Sequence, residues 1–442
     1  MRKITFFCLL LCLMASNFFY SQWTAQTNPG NFLLGKVHFV NETNGWIVRG
    51  DGRLLKTTDA GANWSPFNFD DTVTRWAFAD PAHNMSWVGT THGWLLCTGG
   101  TEESNSTGAI LYKTVDGGNT WTKPVSLLGG AGKMGVQVQF INENTGWMSV
   151  FDASTLVGSI YKSNDGGINW TLLGSTSSIA FGIAGIFHFV NETTGWMVNA
   201  ASSANTVKII KTTDGGSTWV QQFSDNTGLE FSHPFFVNTN IGYAFGDKII
   251  LKTIDGGTNW STSLSNQYAG YNSGYFIDNN IGWVLDEDEG HPRTYGSRVL
   301  KTINGGVSWL PQNLPNIELD SNDRGFSIFF INENNGWCTT DGISLGLDKG
   351  RIFKYTAPPL SINKYTLEGF NFYPNPAKDF IELKATNKIM KVDIYSILGN
   401  LISTTKPQST KYQLNTSQLA KGIYLINVTI DDKIGVYKFI KE

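Results

Sequence analysis

The chain has 442 residues, with 48 Gly, 28 Phe and 15 Trp, and a formal net charge of −3. That length leaves room for more than one domain, and the apolar, aromatic composition excludes a disordered chain. A charge this mild, with no clustered basic patch, excludes a nucleic-acid partner held by its phosphates.

Residues 1–21 read as a secretory signal peptide: Arg2 and Lys3 precede the apolar run ITFFCLLLCLMA, which is too short for a comfortable membrane span. Removing Arg2 and Lys3 takes the charge from −3 to −3 − 2 = −5. Cys12 follows leucines rather than small residues, which argues against a lipoprotein. No later apolar run reaches spanning length. Cys97 and Cys338 remain in the mature chain and fall in distant repeats, so two buried free thiols are expected rather than a disulfide.

From residue 22 to 356 two phrases alternate. One is FVNETNGW at 39, FINENTGW at 140, FVNETTGW at 189, FVNTNIGY at 236, FIDNNIGW at 276 and FINENNGW at 330, with a looser version from Phe78 to Gly93-Trp94. The other is KTTDAGANW at 56, KTVDGGNTW at 113, KSNDGGINW at 162, KTTDGGSTW at 211, KTIDGGTNW at 252 and KTINGGVSW at 301. The glycines of the first phrase fall at 45, 93, 146, 195, 242, 282 and 336, a blade-sized spacing. Each unit reads as four short strands: one ending at Phe, a polar turn, the Gly-Trp strand, an alternating third strand, and a fourth after the Asp-Gly-Gly hairpin turn. Seven such sheets make a β-propeller.

The second phrase, S/T-x-D-x-G-x-x-W, resembles the Asp box of sialidase-like propellers. Together the two phrases resemble the BNR-repeat and photosystem II assembly-factor-like group over residues 22–356. The box is expected to be structural. Asp59, Asp116, Asp165, Asp214, Asp255 and Asn304 should tie the turn's backbone. Trp64, Trp121, Trp170, Trp219, Trp260 and Trp309 should pack beneath it. Asn304 accepts the same bonds as Asp, which a catalytic carboxylate would not tolerate. The seventh unit has no box and stops at Thr356. QWTAQ at 22–26 is expected to supply its last strand, since Trp23 stands 16 residues before Phe39, within the range of the other box-Trp-to-Phe distances.

After a linker at 357–368 the pattern changes to alternating strands with Gly turns, an Ig-like antiparallel β-sandwich over 369–442. It resembles the type A sorting domain of the type IX secretion system of Bacteroidota. The matching residues are Tyr373, Pro374, Asn375 and Pro376, then Ile394, Tyr395 and Gly399, then Leu419, Gly422, Tyr424 and Leu425, and finally Lys438 and Lys441. The resemblance implies Sec export, transfer across the outer membrane by the secretion machinery, and a passenger released or held at the cell surface. The fold class is thus all-β: a seven-bladed propeller followed by a small sandwich.

Variable loops on a rigid scaffold are where binding residues concentrate. Candidate ligand-binding residues are Arg75, Trp76, His233, Tyr271 and Arg324 in blade-to-blade connections, and Asp286, Asp288, His291 and Arg293 in the blade-six loop LDEDEGHPRTYGSR. That acidic loop is a candidate Ca²⁺ site, although its spacing is not that of an EF-hand; no other metal and no cofactor is assigned. Catalytic residues are not assigned either: the Phe-Arg-Ile-Pro motif of sialidases is missing, the blade number differs, and no triad, zinc spacing or phosphate loop occurs. The expected function is non-catalytic binding or adhesion, with a glycan or surface-protein ligand, by a monomer without a transmembrane span. A sialidase-like or other glycoside hydrolase, and an assembly-factor-like propeller, are the alternatives.

Overall fold

The computed structural model describes residues 22–30, 32–69, 73, 75–76, 83–100, 106–123, 128–129, 132–155, 157–175, 185–200, 207–225, 229–288, 298–315, 325–340, 350–357, 367–396, 401–431 and 433–442. Residues 1–21, read as a leader, His291, Arg293, Arg324, Gly399 and most of residues 357–368, read as a linker, lie outside these residues. The chain divides into two compact units, Met1–Ala357 and Pro358–Glu442.

The larger unit is a seven-bladed propeller of antiparallel sheets. Blade one runs Leu34–Phe39, Gly45–Arg49, Leu54–Thr57 and Ser65–Phe67, and blades three and four repeat the same order. In blade two the inner strand is split: Arg75–Trp76 and Met85–Val88 both pair with His92–Gly99. Blades five and six join into one sheet, because Gly242–Thr253 and Ser261–Phe276 each serve two strand positions. The register shifts between Asp247 and Ile249, where Lys248 takes φ 65°, so the second and third strands of blade five meet with almost no loop. Blade seven takes its outer strand from the start of the chain: Trp23 pairs with Tyr355 and Gln26 with Ile352. The two ends of the ring are thereby stitched together and a sheet edge is removed.

The repeated phrases explain the blade. The motif Asn carbonyl caps the first turn by accepting two backbone N–H groups; Asn142 does so from Asn144 and Thr145 at 2.9 and 2.6 Å. Asp278 does the same where it replaces Asn. The following Gly lies under the motif Phe. A Cβ on Gly146 would sit 2.5 Å from the Phe140 ring, and Gly45, Gly195, Gly242, Gly282 and Gly336 meet their phenylalanines at 2.3–2.6 Å; in blade two Trp87, not the expected Phe78, takes this place, 2.9 Å from a Cβ on Gly93. The Phe ring, laid flat, then stacks on the Trp or Tyr of the preceding blade. Six such pairs have centroids 3.4–3.9 Å apart, from Trp94–Phe140 round to Trp337–Phe39, which joins the last blade to the first. Trp46 on Trp87 completes the circle at 5.9 Å. Each pair adds about 0.5–1.5 kcal/mol beyond the area it buries.

The smaller unit is one antiparallel sheet folded about the long strand Phe380–Ser396. Its first half pairs with Asn371–Tyr373 and Ser409–Asn415, its second half with Leu401–Thr405 and Gly422–Ile430, and Lys433–Lys441 completes the order. Ile381, Leu383, Ile389, Ile426, Val428 and Phe439 form its fully buried core.

Candidate functional site

All six Asp-box turns have one geometry. In blade four the Thr212 hydroxyl donates to Asp214 Oδ1 at 2.8 Å and accepts from Gly216 N–H at 2.9 Å. The carboxylate also takes the Thr218 backbone N–H at 2.9 Å and the Thr218 hydroxyl at 2.6 Å. The side-chain bond from Thr218 is the largest cause holding Asp214 down at about 2. Asn304 receives Thr302 Oγ1–H at 3.0 Å and Ser308 N–H at 2.9 Å, so it fills the same bonds without a charge. The box tryptophans meet the motif ring of their own blade edge-on, as Trp170 meets Phe140 at 79°. In blade seven Trp23 takes that place, 5.9 Å from Phe330 at 88°.

The boxes are also wired to their neighbours. The indole N–H groups of Trp94, Trp147 and Trp196 donate to the first-glycine carbonyls of the next blade's box, Gly166, Gly215 and Gly256, at 2.9–3.0 Å. Tyr243 does so to Gly305 through its hydroxyl, which explains why Tyr can stand in for Trp. Trp283 faces the boxless blade, and its buried indole nitrogen has no hydrogen-bond partner.

The sequence candidates fall at separate places. Arg75 is buried with its guanidinium over the rings of Phe69 and Tyr112, 4.7 and 4.9 Å from their centroids. Tyr271 is 1% exposed and packs with Phe245, Ile250 and Phe276. It pairs across strands with Asp286, and burial, then the Asp286 charge, push its hydroxyl pKa up. Asp286 is buried and held by Arg298 Nε at 2.5 Å. Asp288 ends the strand Gly282–Asp288, and Trp76 ends the short strand Arg75–Trp76. Among the described residues no group of three or more His, Cys, Asp or Glu is arranged to hold a metal ion.

Of the candidates whose side chains are described, only His233 lines the channel on the propeller axis. A cavity of about 250 Å³ lies there, lined by inner-strand residues of all seven blades. One layer consists of the residues just before the motif Phe. His38, Phe329, Tyr275, Phe235 and His188 follow one another around it at ring separations of 4.3–5.5 Å. Farther along the strands Lys36, His83, Gln137, His233, Ser273 and Ser327 line the cavity, and His83 and His233 have ring centroids 5.4 Å apart. Several of these side chains clasp the next blade. Ser86 Oγ accepts Phe140 N–H, the Gln139 amide exchanges two bonds with Phe189, and His188 Nδ1 accepts Phe236 N–H at 2.9 Å. Ser273 and Ser327 continue the series to Ile328 and Val37. Desolvation, then the Lys36 charge, lowers His38 to about 3 and His188 to about 4.

Lys36, His38, His83 and His188 were not singled out by the sequence reading. The signal was present: in KVHFV and IFHFV the histidine is one residue before the motif Phe, and a strand that buries Phe in the blade turns that position to the axis.

Cys97 and Cys338 form no disulfide and are fully buried. Among the described residues no helix is long and apolar enough to cross a membrane.

No curated protein matches the chain in sequence. Solved structures match in fold. YCF48 bound to D1 peptide is 19% identical, covering 77% of this chain and 98% of that one with a TM-score of 0.54. YCF48 from Cyanidioschyzon merolae is 17% identical, covering 76% and 98%, at 0.52. The GH74 enzyme of Niastella koreensis is 14% identical, covering 95% and 67%, at 0.54. At such identities the likeness speaks for the fold alone. Residues 371–442 match the secretion system C-terminal sorting domain, so the chain is an exported β-propeller protein that carries a type IX sorting tail at its C-terminal end.

Proposed function

We propose that the propeller is a secreted or cell-surface binding module, non-catalytic, whose partner is a glycan or a surface protein. The sorting tail carries this reading: it sends whatever precedes it to the outside of the cell, and what precedes it is a compact unit of its own. Two features of the propeller support binding over turnover. Asp286, the candidate carboxylate whose surroundings are described, is buried against Arg298 and Tyr271. The five box aspartates spend their oxygens on their own turns. The tail engages the secretion machinery and is removed from, or retained on, the passenger at the surface.

A glycan array run beside a polysaccharide hydrolysis screen tests the reading. Binding without release of reducing sugar is expected. Sugar release that disappears on substituting an acidic residue of 286–289 would make the propeller a hydrolase instead.

A further inference from the structure

We propose that the last hairpin of the tail, Gly422–Ile430 with Lys433–Lys441, seats its open face on an anionic lipid surface. The inference is separate from the propeller's ligand and from the machinery that exports the chain.

The composition of the hairpin comes first. Its strands read GIYLINVTI and KIGVYKFIK. Strands covered on both faces are apolar nearly throughout, whereas an antiparallel strand with one face in water alternates with polar residues. The inward face is accounted for: Tyr424, Ile426, Val428, Ile430, Tyr437 and Phe439 belong to the buried core of the unit. The other face is open. There Ile423 lies across from Ile440 and Leu425 across from Lys438, and Val436 and Ile434 continue the row. The isoleucines are 38%, 38% and 54% exposed at 423, 440 and 434, and Leu425 and Val436 are half-buried. Five of the eight outward places on this ladder are thus aliphatic, a pattern that marks a contact surface.

Charge says what covers it. Lys438 stands between Val436 and Ile440 in one row, and Lys421 stands two residues before Ile423. Both are exposed, and among the described residues neither joins the ion pairs of the tail, Lys384–Glu382 and Lys391–Asp393. The neighbouring carboxylate, Asp393, lies across from Asn427 but is buried and held by Lys391 at 2.8 Å. The open face is therefore aliphatic with uncompensated positive charge. The whole tail leans the same way: residues 358–442 hold 11 Lys and 7 Asp or Glu, a net +4, against −3 − 4 = −7 for the rest of the chain. An anionic surface attracts the tail and repels the propeller, which turns the hairpin toward it. A lipid boundary meets both demands at once: headgroup phosphates take the ammonium groups, and the aliphatic side chains enter the acyl edge beneath them. The sorting tail is carried across the outer membrane, so such a surface is at hand.

Vesicle co-sedimentation tests this on the chain from Gln22 to Glu442, begun there because the apolar run before it would bind lipid by itself. The probes are vesicles of phosphatidylcholine alone and of phosphatidylcholine with about 30% phosphatidylglycerol; binding should be about tenfold tighter to the second. About 0.5 M salt should remove most of that preference. Lys438→Gln should weaken binding to the anionic vesicles about fivefold. Ile423→Ser combined with Ile440→Ser should weaken it about tenfold or more. Lys411→Gln makes the same charge change on Ser409–Asn415, in the other half of the sheet, and should leave binding nearly unchanged. All of these side chains are exposed, so melting temperatures should stay level; the headgroup and salt comparisons use the unsubstituted chain and stand if a variant misfolds. The proposal is overturned by equal binding to the two vesicle types, or by no binding at about 1 mM lipid. It is overturned equally if Lys411→Gln costs as much as Lys438→Gln, or if the isoleucine pair can be replaced without loss.

Discussion

The propeller and its tail use their recurring side chains in opposite directions. In the propeller they turn inward: stacked rings join every blade to the next, and the boxes satisfy their own turns. In the tail Asn375 of the opening motif fixes the last strand. Asn375 donates to Lys438 O and accepts Ile440 N–H, and Ala377 continues the grip by pairing with Ile440 and Glu442. That small unit leaves Tyr373, Phe380, Met390, Ile402, Ile423, Ile434 and Ile440 exposed, a dense apolar surface for its size. The comparison suggests that lesions in the ring change stability and lesions in the tail change destination.

The largest effect should come from opening the ring. Deleting residues 22–26 removes the outer strand of blade seven, and Trp23→Ala alone empties a site 1% exposed, at a cost of roughly 3–5 kcal/mol. Thermal melting of the deletion should fall steeply and cooperatively; an unchanged midpoint would disprove closure by the N-terminal strand. Next comes a matched pair. Trp147→Phe and Trp283→Phe both trim a stacked, buried ring, but only Trp147 bonds the next blade's box. Denaturant titration should show Trp147→Phe more costly by about 1 kcal/mol, the value of one hydrogen bond. Asp214→Ala should lower stability by about 1 kcal/mol, by analogy with capping side chains, and leave ligand binding on an array unchanged.

The smallest effect per residue is titration of the boxes. Asp59, Asp116, Asp165, Asp214 and Asp255 all have carboxyls held below the ordinary 3.8. The folded state thus binds these protons more weakly than the unfolded chain. Their contribution is complete above about pH 4 and is lost as pH falls toward about pH 2. Melting temperature should decline across that window, and replacing Asp214 by Asn, as blade six has at 304, should shallow the decline. A decline as steep after all five replacements would locate the acid sensitivity elsewhere.

Much of the ring was legible because it is written in repeated letters. Phe, Asn, Gly and Trp recur at fixed offsets, and the lack of a seventh box points to Trp23. What was not legible is what varies around the ring. The channel positions are His, Ser, Gln, Phe or Tyr depending on the blade, with no shared letter to count, and they meet only because the sheet closes. For the same reason Tyr271 and Asp286, read as loop residues, lie in the described strands and are buried: a strand extended beyond its motif hides side chains that composition alone would put outside. The join between blades five and six rests on the unbroken strand Ser261–Phe276, which runs from one blade into the next with no sequence mark of its own.

The central claim is that the tail is an address and the propeller its passenger. Fractionation of a native host producing either the full chain or a chain ended at Ala357 tests it most directly. The full chain should reach the cell surface or the medium, and the shortened one should collect, folded and protease-resistant, in the periplasm. Equal surface exposure of the two forms would contradict it.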